Sequence, residues 1–240
     1  MAERHGLKFI PVDHAGLTCT GEMGEAPMKI LAHRGYWNTH IANNSPRALR
    51  TALENGYGFE SDLRDYEGKL VISHNIADKA SQEAEEVFQW LAEFQDQFCF
   101  AVNIKSDGLK DLLAALLAKY RITNYFTFDM SVPQMVEYAE RGLTYFTRQS
   151  EWEQYPVLYE NAAGVWVDGF LGDGWITEEL VNGHLQRGKQ VCLVSPELHG
   201  RDPAGFWERL AAFQADRGGV LLCTDRPDEA KRFFTDGGKK

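Results

Sequence analysis

Cysteine is scarce in this sequence, and its four examples (Cys19, Cys99, Cys192 and Cys223) show no CxxC spacing. Three of them lie inside apolar runs, where cysteine behaves as a small buried hydrophobe, so neither a disulfide framework nor a structural zinc site is expected. No stretch is long and apolar enough to cross a bilayer, and the amino terminus lacks a secretory apolar run; a cytoplasmic protein with no membrane span is the expectation. Basic charge is in deficit, with 25 Lys and Arg against 35 Asp and Glu, a net charge of −10. That balance argues against nonspecific nucleic-acid binding, because no basic field exists to release counterions from a phosphate backbone. It leaves room for a small anionic ligand, since local arginines and a metal ion can reverse the sign inside a pocket. A glycine-rich phosphate fingerprint after the first strand is missing too, which counts against an open dinucleotide-binding sheet.

What the sequence does contain is alternation. Apolar strand-like runs occupy 29–33, 57–62, 100–105, 125–129, 144–148, 164–168, 190–195 and 219–225. Helical segments are expected near 45–55, 81–95, 108–120, 131–141, 151–162, 176–187, 203–216 and 226–234, several opened by caps such as Ser45-Pro46, Ser131, Ser150, Thr177 and Asp202-Pro203. Eight strand–helix units in roughly 200 residues predict an α/β fold, a single-domain (β/α)8 TIM barrel; an open doubly wound sheet is the alternative. Residues 65–74 read as a small hairpin inserted after the second strand, with Glu67-Gly68 at its turn. Residues 1–27 form a leader without sustained periodicity that is expected to be weakly ordered and dispensable, 28–236 the barrel, and 237–240 a frayed tail.

The predicted strands end on polar groups: His33, Asp62, Lys105, Asp129, Arg148, Asp168, Ser195 and Asp225. In a barrel those carboxyl ends converge on one rim, where such enzymes keep their active sites. Two imidazoles, His33 and His74, suit proton transfer near neutral pH. Glu60 and Asp62, at i and i+2 of one strand, share a face and can grip a hard cation; a buried ion pair with Arg34 or Lys105 would use the same residue types. Arg34, Lys105 and Arg148 are candidate phosphate ligands, Arg34 because its planar fork matches a phosphate. Asn103 and Lys105 repeat the i, i+2 spacing, and His199 reads as a rim residue after the seventh predicted strand.

At these residues the chain resembles the glycerophosphodiester phosphodiesterase family of TIM barrels. The resemblance rests on His33-Arg34-Gly35, Asn44-Ser45, Glu60-Ser61-Asp62, Leu70-Val71-Ile72-Ser73-His74 and Asn103-Ile104-Lys105; the second half matches only as barrel architecture. It implies that His33 and His74 are the acid–base pair, and that Glu60, Asp62 and Asn103 hold Mg2+ or Ca2+. Arg34 and Lys105 would meet the phosphate of a small phosphodiester substrate. Three positions depart from the family pattern: Asn43 stands for glutamate before Asn44-Ser45, Asn75 for aspartate after His74, and Asn103 for the third metal-binding glutamate. An amide ligates without supplying charge, so weaker metal affinity is expected. Two other functions fit the same residues: a phosphate-ligand-binding barrel without turnover, and a sugar-phosphate lyase or isomerase.

Overall fold

Alternate residues of each apolar run point to opposite faces, and here the two faces bury against different things. The structure, a computed structural model, describes residues 28–235, so the expectations for the leader and tail fall outside the described residues. Its strands are β1 Lys29–His33, β2 Gly58–Tyr66, β3 Lys69–Ile72, β4 Gln82–Glu83, β5 Phe100–Ile104, β6 Tyr125–Phe128, β7 Phe146–Ser150, β8 Gly164–Asp168, β9 Gln190–Val194 and β10 Val220–Thr224. Its helices are α1 Pro46–Glu54, α2 Glu85–Glu93, α3 Lys110–Tyr120, α4 Val132–Glu140, α5 Glu178–Leu185, α6 Ala204–Ala212 and α7 Pro227–Thr235.

The parallel strands follow one another as β6–β5–β2–β1–β10–β9–β8–β7. β6 meets the start of β7 at a single parallel bridge between Thr127 and Tyr145. This is the expected TIM barrel. One set of alternate residues fills its interior: Leu31, Ala101, Phe126, Phe146, Trp166, Cys192 and Leu221 belong to one buried cluster. Phe126 stacks on Phe146 at 3.8 Å and Phe128 on Trp166 at 3.9 Å, so aromatic rings plug the centre. The other set, including Phe59 and Val102, or Val165 and Leu193, packs under the helices. The inserted hairpin is present: β3 pairs antiparallel with β2, and Glu67 and Gly68 turn the chain at positive φ. That pairing carries β2 beyond the expected strand end at residue 62. No helix among the described residues is long and apolar enough to cross a membrane.

One expected helix is absent. Residues 151–162 form a loop with a single 3-10 turn at Tyr159–Asn161, and the strand before it ends at Ser150 rather than at 148. Ser150 does cap, but it caps a turn: its hydroxyl accepts the amides of Trp152 and Glu153. Pro156 would remove a ladder hydrogen bond inside a helix. The Glu151 carboxylate is engaged elsewhere, accepting the backbone amides of Phe170, Leu171 and Gly172. Tertiary contacts therefore override the local helical signal.

Candidate active site

The period of two that builds the barrel also aims the site. His33 continues the inward face of Leu31, Asn103 that of Ala101, and Arg148 that of Phe146, each at the carboxyl end of its strand. Parallel register then sets neighbours: His33 lies beside Glu60, and Asp62 beside Asn103.

His33 is held from one side. Its Nδ1 lies 2.7 Å from Asp225 Oδ1, while Nε2 is 3.9 Å from Glu60 Oε2. Burial pushes the imidazole pKa down, but the Asp225 hydrogen bond and the charges of Glu60 and Asp225 outweigh it and raise the pKa. Donation from Nδ1–H to the carboxylate leaves the Nε2 lone pair available to accept a proton. Asp225 is itself anchored, its amide donating to Glu197 Oε1 at 3.1 Å. Glu197 also accepts the hydroxyls of Thr224 and of Ser195, and the Trp207 indole donates to Ser195 Oγ at 2.9 Å. A buttress thus runs from β9 and α6 to the histidine.

The carboxylate pair is buried, Glu60 at 2% exposure and Asp62 at 0%. Arg34 sits at φ 55° after His33, and this bend turns its amide to Glu60 Oε2 at 3.2 Å and brings its Nε within 3.3 Å of Asp62 Oδ2. Gly35 follows at φ 84°, where a Cβ would lie 2.6 Å from the Ala48 carbonyl carbon, so only glycine lets the loop close on α1. Asn44 donates to Asp62 Oδ2 at 2.7 Å and accepts from Ser61 Oγ, and Lys105 Nζ stands 3.3 Å from Asp62 Oδ1. Burial, and next the charge of Asp62, push the Glu60 pKa up to about 7. Among the described residues, no group of three or more His, Cys, Asp or Glu side chains is placed to hold a metal. The oxygen set is instead two carboxylates and one amide. Asp62 Oδ1 and Asn103 Oδ1 are buried without a hydrogen bond, and such oxygens with an under-compensated Glu60 fit a hard cation.

His74 reaches the same end of the barrel, because the Ser73 amide donates to the Asp62 carbonyl at 3.0 Å. Its ring is exposed, with Nδ1 3.2 Å from Asn75 Oδ1, and no described contact joins it to His33, Glu60 or Asp62. Arg148 lies further round the mouth, where Asp129 at 3.0 Å and Glu153 already meet its charge. Also on that side, His199 Nε2 lies 2.6 Å from Asp168 Oδ1, and the Phe170 ring sits 5.1 Å from the His199 ring. Sequence spacing leaves Asp225 open as a further ligand or a helix cap and gives Glu197 no role, whereas the structure joins both to His33. Their signal was present, since Asp225 ends a strand on the parity that faces His33. A cavity of about 880 Å³ opens at the opposite, amino-terminal end of the strands, beside Leu31, Gly58 and Cys99, away from these groups.

No protein-family model and no curated protein matches the chain. Solved structures do. A glycerophosphodiester phosphodiesterase from Parabacteroides distasonis superposes with a TM-score of 0.70 at 16% identity, covering 90% of this chain and 100% of that one. One from Thermotoga maritima gives 0.60 at 18% identity, covering 88% and 100%. An Oleispira antarctica phosphodiesterase, in complex with its product sn-glycerol-3-phosphate, gives 0.63 at 13%, covering 85% and 95%. The chain therefore has the TIM-barrel fold of glycerophosphodiester phosphodiesterases.

Proposed function

We propose that the protein is a phosphoric diester hydrolase acting on a small alcohol phosphodiester of the glycerophosphodiester type. The observation that carries this reading is the His33–Asp225 pair set against the buried Glu60–Asp62 pair at the barrel mouth. His33 Nε2 takes the proton of a neighbouring hydroxyl of the substrate as its oxygen bonds to phosphorus, and a second acid, assigned to His74 by the family resemblance, protonates the alkoxide as the other P–O bond breaks. Water then opens the cyclic phosphate, giving its proton to the now neutral His74 while His33 returns its own to the ring oxygen. Arg34 and Lys105 hold the phosphate charge; Arg148, further round the rim and already met by Asp129 and Glu153, is left out of that role. A magnesium or calcium ion held by Glu60, Asp62 and the Asn103 amide would polarise the phosphoryl oxygens. Cys192 and Cys223 are buried thiols outside any disulfide, which fits a reducing, cytoplasmic setting.

A second reading, a phosphate-binding barrel without turnover, draws on the Arg34 and Lys105 cations already beside Asp62. Turnover of a panel of glycerophosphodiesters, with and without chelator, separates the two. Hydrolysis that stops with EDTA and returns with Mg2+ or Ca2+ is expected; calorimetric binding of the diesters with no turnover would replace the enzyme by the binder.

A further inference from the structure

The side of the mouth formed by β7, β8 and the loop after β9 contains a constructed feature that proton transfer and phosphate binding do not use. Phe170, two residues beyond β8, is half-buried and its backbone is clamped from two directions. Glu151 accepts the amides of Phe170, Leu171 and Gly172 at 3.0–3.1 Å, and Arg201 donates to the carbonyls of Gly169 and Phe170. Gly169 closes the turn so tightly that a Cβ there would meet the Gly172 carbonyl oxygen at 2.6 Å. The fold thus fixes one aromatic ring at the rim.

Polar groups of both kinds flank that ring. The Arg148 guanidinium lies over it, 5.7 Å from the centroid, and the His199 ring is tilted against it with centroids 5.1 Å apart. Asp168 faces His199, and Asp129 faces Arg148. Each carboxylate keeps lone pairs beyond the bond it makes, and the guanidinium keeps donors. From this placement we infer that Phe170, Asp168, His199 and Arg148 form a recognition subsite for a ring-shaped polyhydroxylic alcohol, the alcohol half of the diester. The inference deepens the phosphodiesterase reading and rests on it.

The chemistry favours that class over others. A ring-shaped polyol offers a C–H face to stack on Phe170 and a girdle of hydroxyls that can donate to Asp168 or Asp129 and accept from Arg148 or His199. An ammonium alcohol would place a second cation beside Arg148, which already lies over the ring, and the two like charges would repel, whereas a neutral polyol meets no such repulsion. An alkyl alcohol would desolvate these polar groups without bonding them. Glycerol has hydroxyls but no face.

The test compares glycerophosphoinositol with glycerophosphocholine and glycerophosphoethanolamine. The wild type is expected to prefer the inositol diester by about tenfold or more in kcat/KM, as a site built to bond hydroxyls discriminates against analogues lacking them. Phe170→Ala and Asp168→Asn should each lower that preference by about tenfold, mainly through KM, while Phe170→Tyr keeps it. Equal rates for the three, or a preference for an ammonium ester, would overturn the subsite. If no diester is hydrolysed, the enzymatic reading fails by itself. Calorimetry with free myo-inositol then decides the subsite: binding that Phe170→Ala and Asp168→Asn both weaken supports it, and no binding to the wild type overturns it.

Discussion

The two sides of the barrel mouth are built from the same strand ends but treat charge in opposite ways. On the β1–β2–β5 side two carboxylates share one fully buried site: burial and the Asp62 charge push the Glu60 pKa up to about 7, and although Arg34, Lys105 and Asn44 meet Asp62, Asp62 Oδ1 and Asn103 Oδ1 lack hydrogen bonds. On the β7–β8 side each carboxylate named has a cationic or imidazole partner, Asp129 and Glu153 with Arg148, Asp168 with His199, though burial outweighs Arg148 and still raises the Asp129 pKa. Leaving buried polar atoms unbonded costs stability, and folds concentrate such costs where chemistry needs them. Paired charges around a fixed ring suit recognition. Under the proposed function, reaction belongs to one side and selection to the other.

The largest effect that would break this division is on the reacting side. His33→Ala should lower diester hydrolysis by about 10²–10⁴-fold, the usual worth of a positioned acid–base group, with the thermal unfolding curve little changed. Undiminished turnover would remove His33 from the chemistry. Next in size is Asp225→Asn. Asp225 raises the His33 pKa through its hydrogen bond and its charge, so the amide should lower it. For a group acting as base, the acid limb of kcat/KM then moves to lower pH, and the maximal rate falls because the ring loses its anchor. A reduced rate with an unmoved acid limb would make Asp225 merely structural.

Much of this is legible in the amino-acid sequence, and for a physical reason. Period-two parity and strand-end polarity are local properties, so they locate His33, Glu60, Asp62, Asn103 and Lys105 on the inward rim. The buttress was not legible. Glu197 reaches Asp225 across 28 residues, and Asp225 reaches His33 across 192, distances at which sequence spacing carries no geometry. The lost helix at 151–162 fails for the same reason, since the pull of Glu151 on the 170–172 amides is tertiary. His74 shows a further limit: its place after β3 follows from the hairpin, but nothing local fixes the direction of its exposed ring.

A smaller effect sharpens the energetic side of the comparison. Burial, then the Asp62 charge, lift the Glu60 pKa from 4.5 to about 7. The sign follows from linkage. A carboxyl whose folded pKa is raised contributes stability below its unfolded pKa, and that contribution is lost as pH rises through the folded one. In chelator, Glu60→Gln should therefore match the wild type near pH 4.5 and exceed it at pH 8, by at most about 3 kcal/mol. Melting curves across that range check it; a wild type more stable than the variant at pH 8 would mean the Glu60 charge is compensated.

The smallest expected effect concerns Asn103. Restoring charge with Asn103→Glu places a third carboxylate beside Asp62 in register, next to Glu60. Without a cation the three negative charges repel in a buried setting, so the variant should melt below the wild type in chelator. With calcium or magnesium the order should reverse, because each added carboxylate strengthens a site for hard cations. A tenfold gain in affinity, about 1.4 kcal/mol, is within reach of calorimetry. The same substitution made at Gln149, away from the acidic pair, should leave metal affinity alone. If Asn103→Glu leaves affinity unchanged as well, the oxygens of β2 and β5 are not where the cation binds.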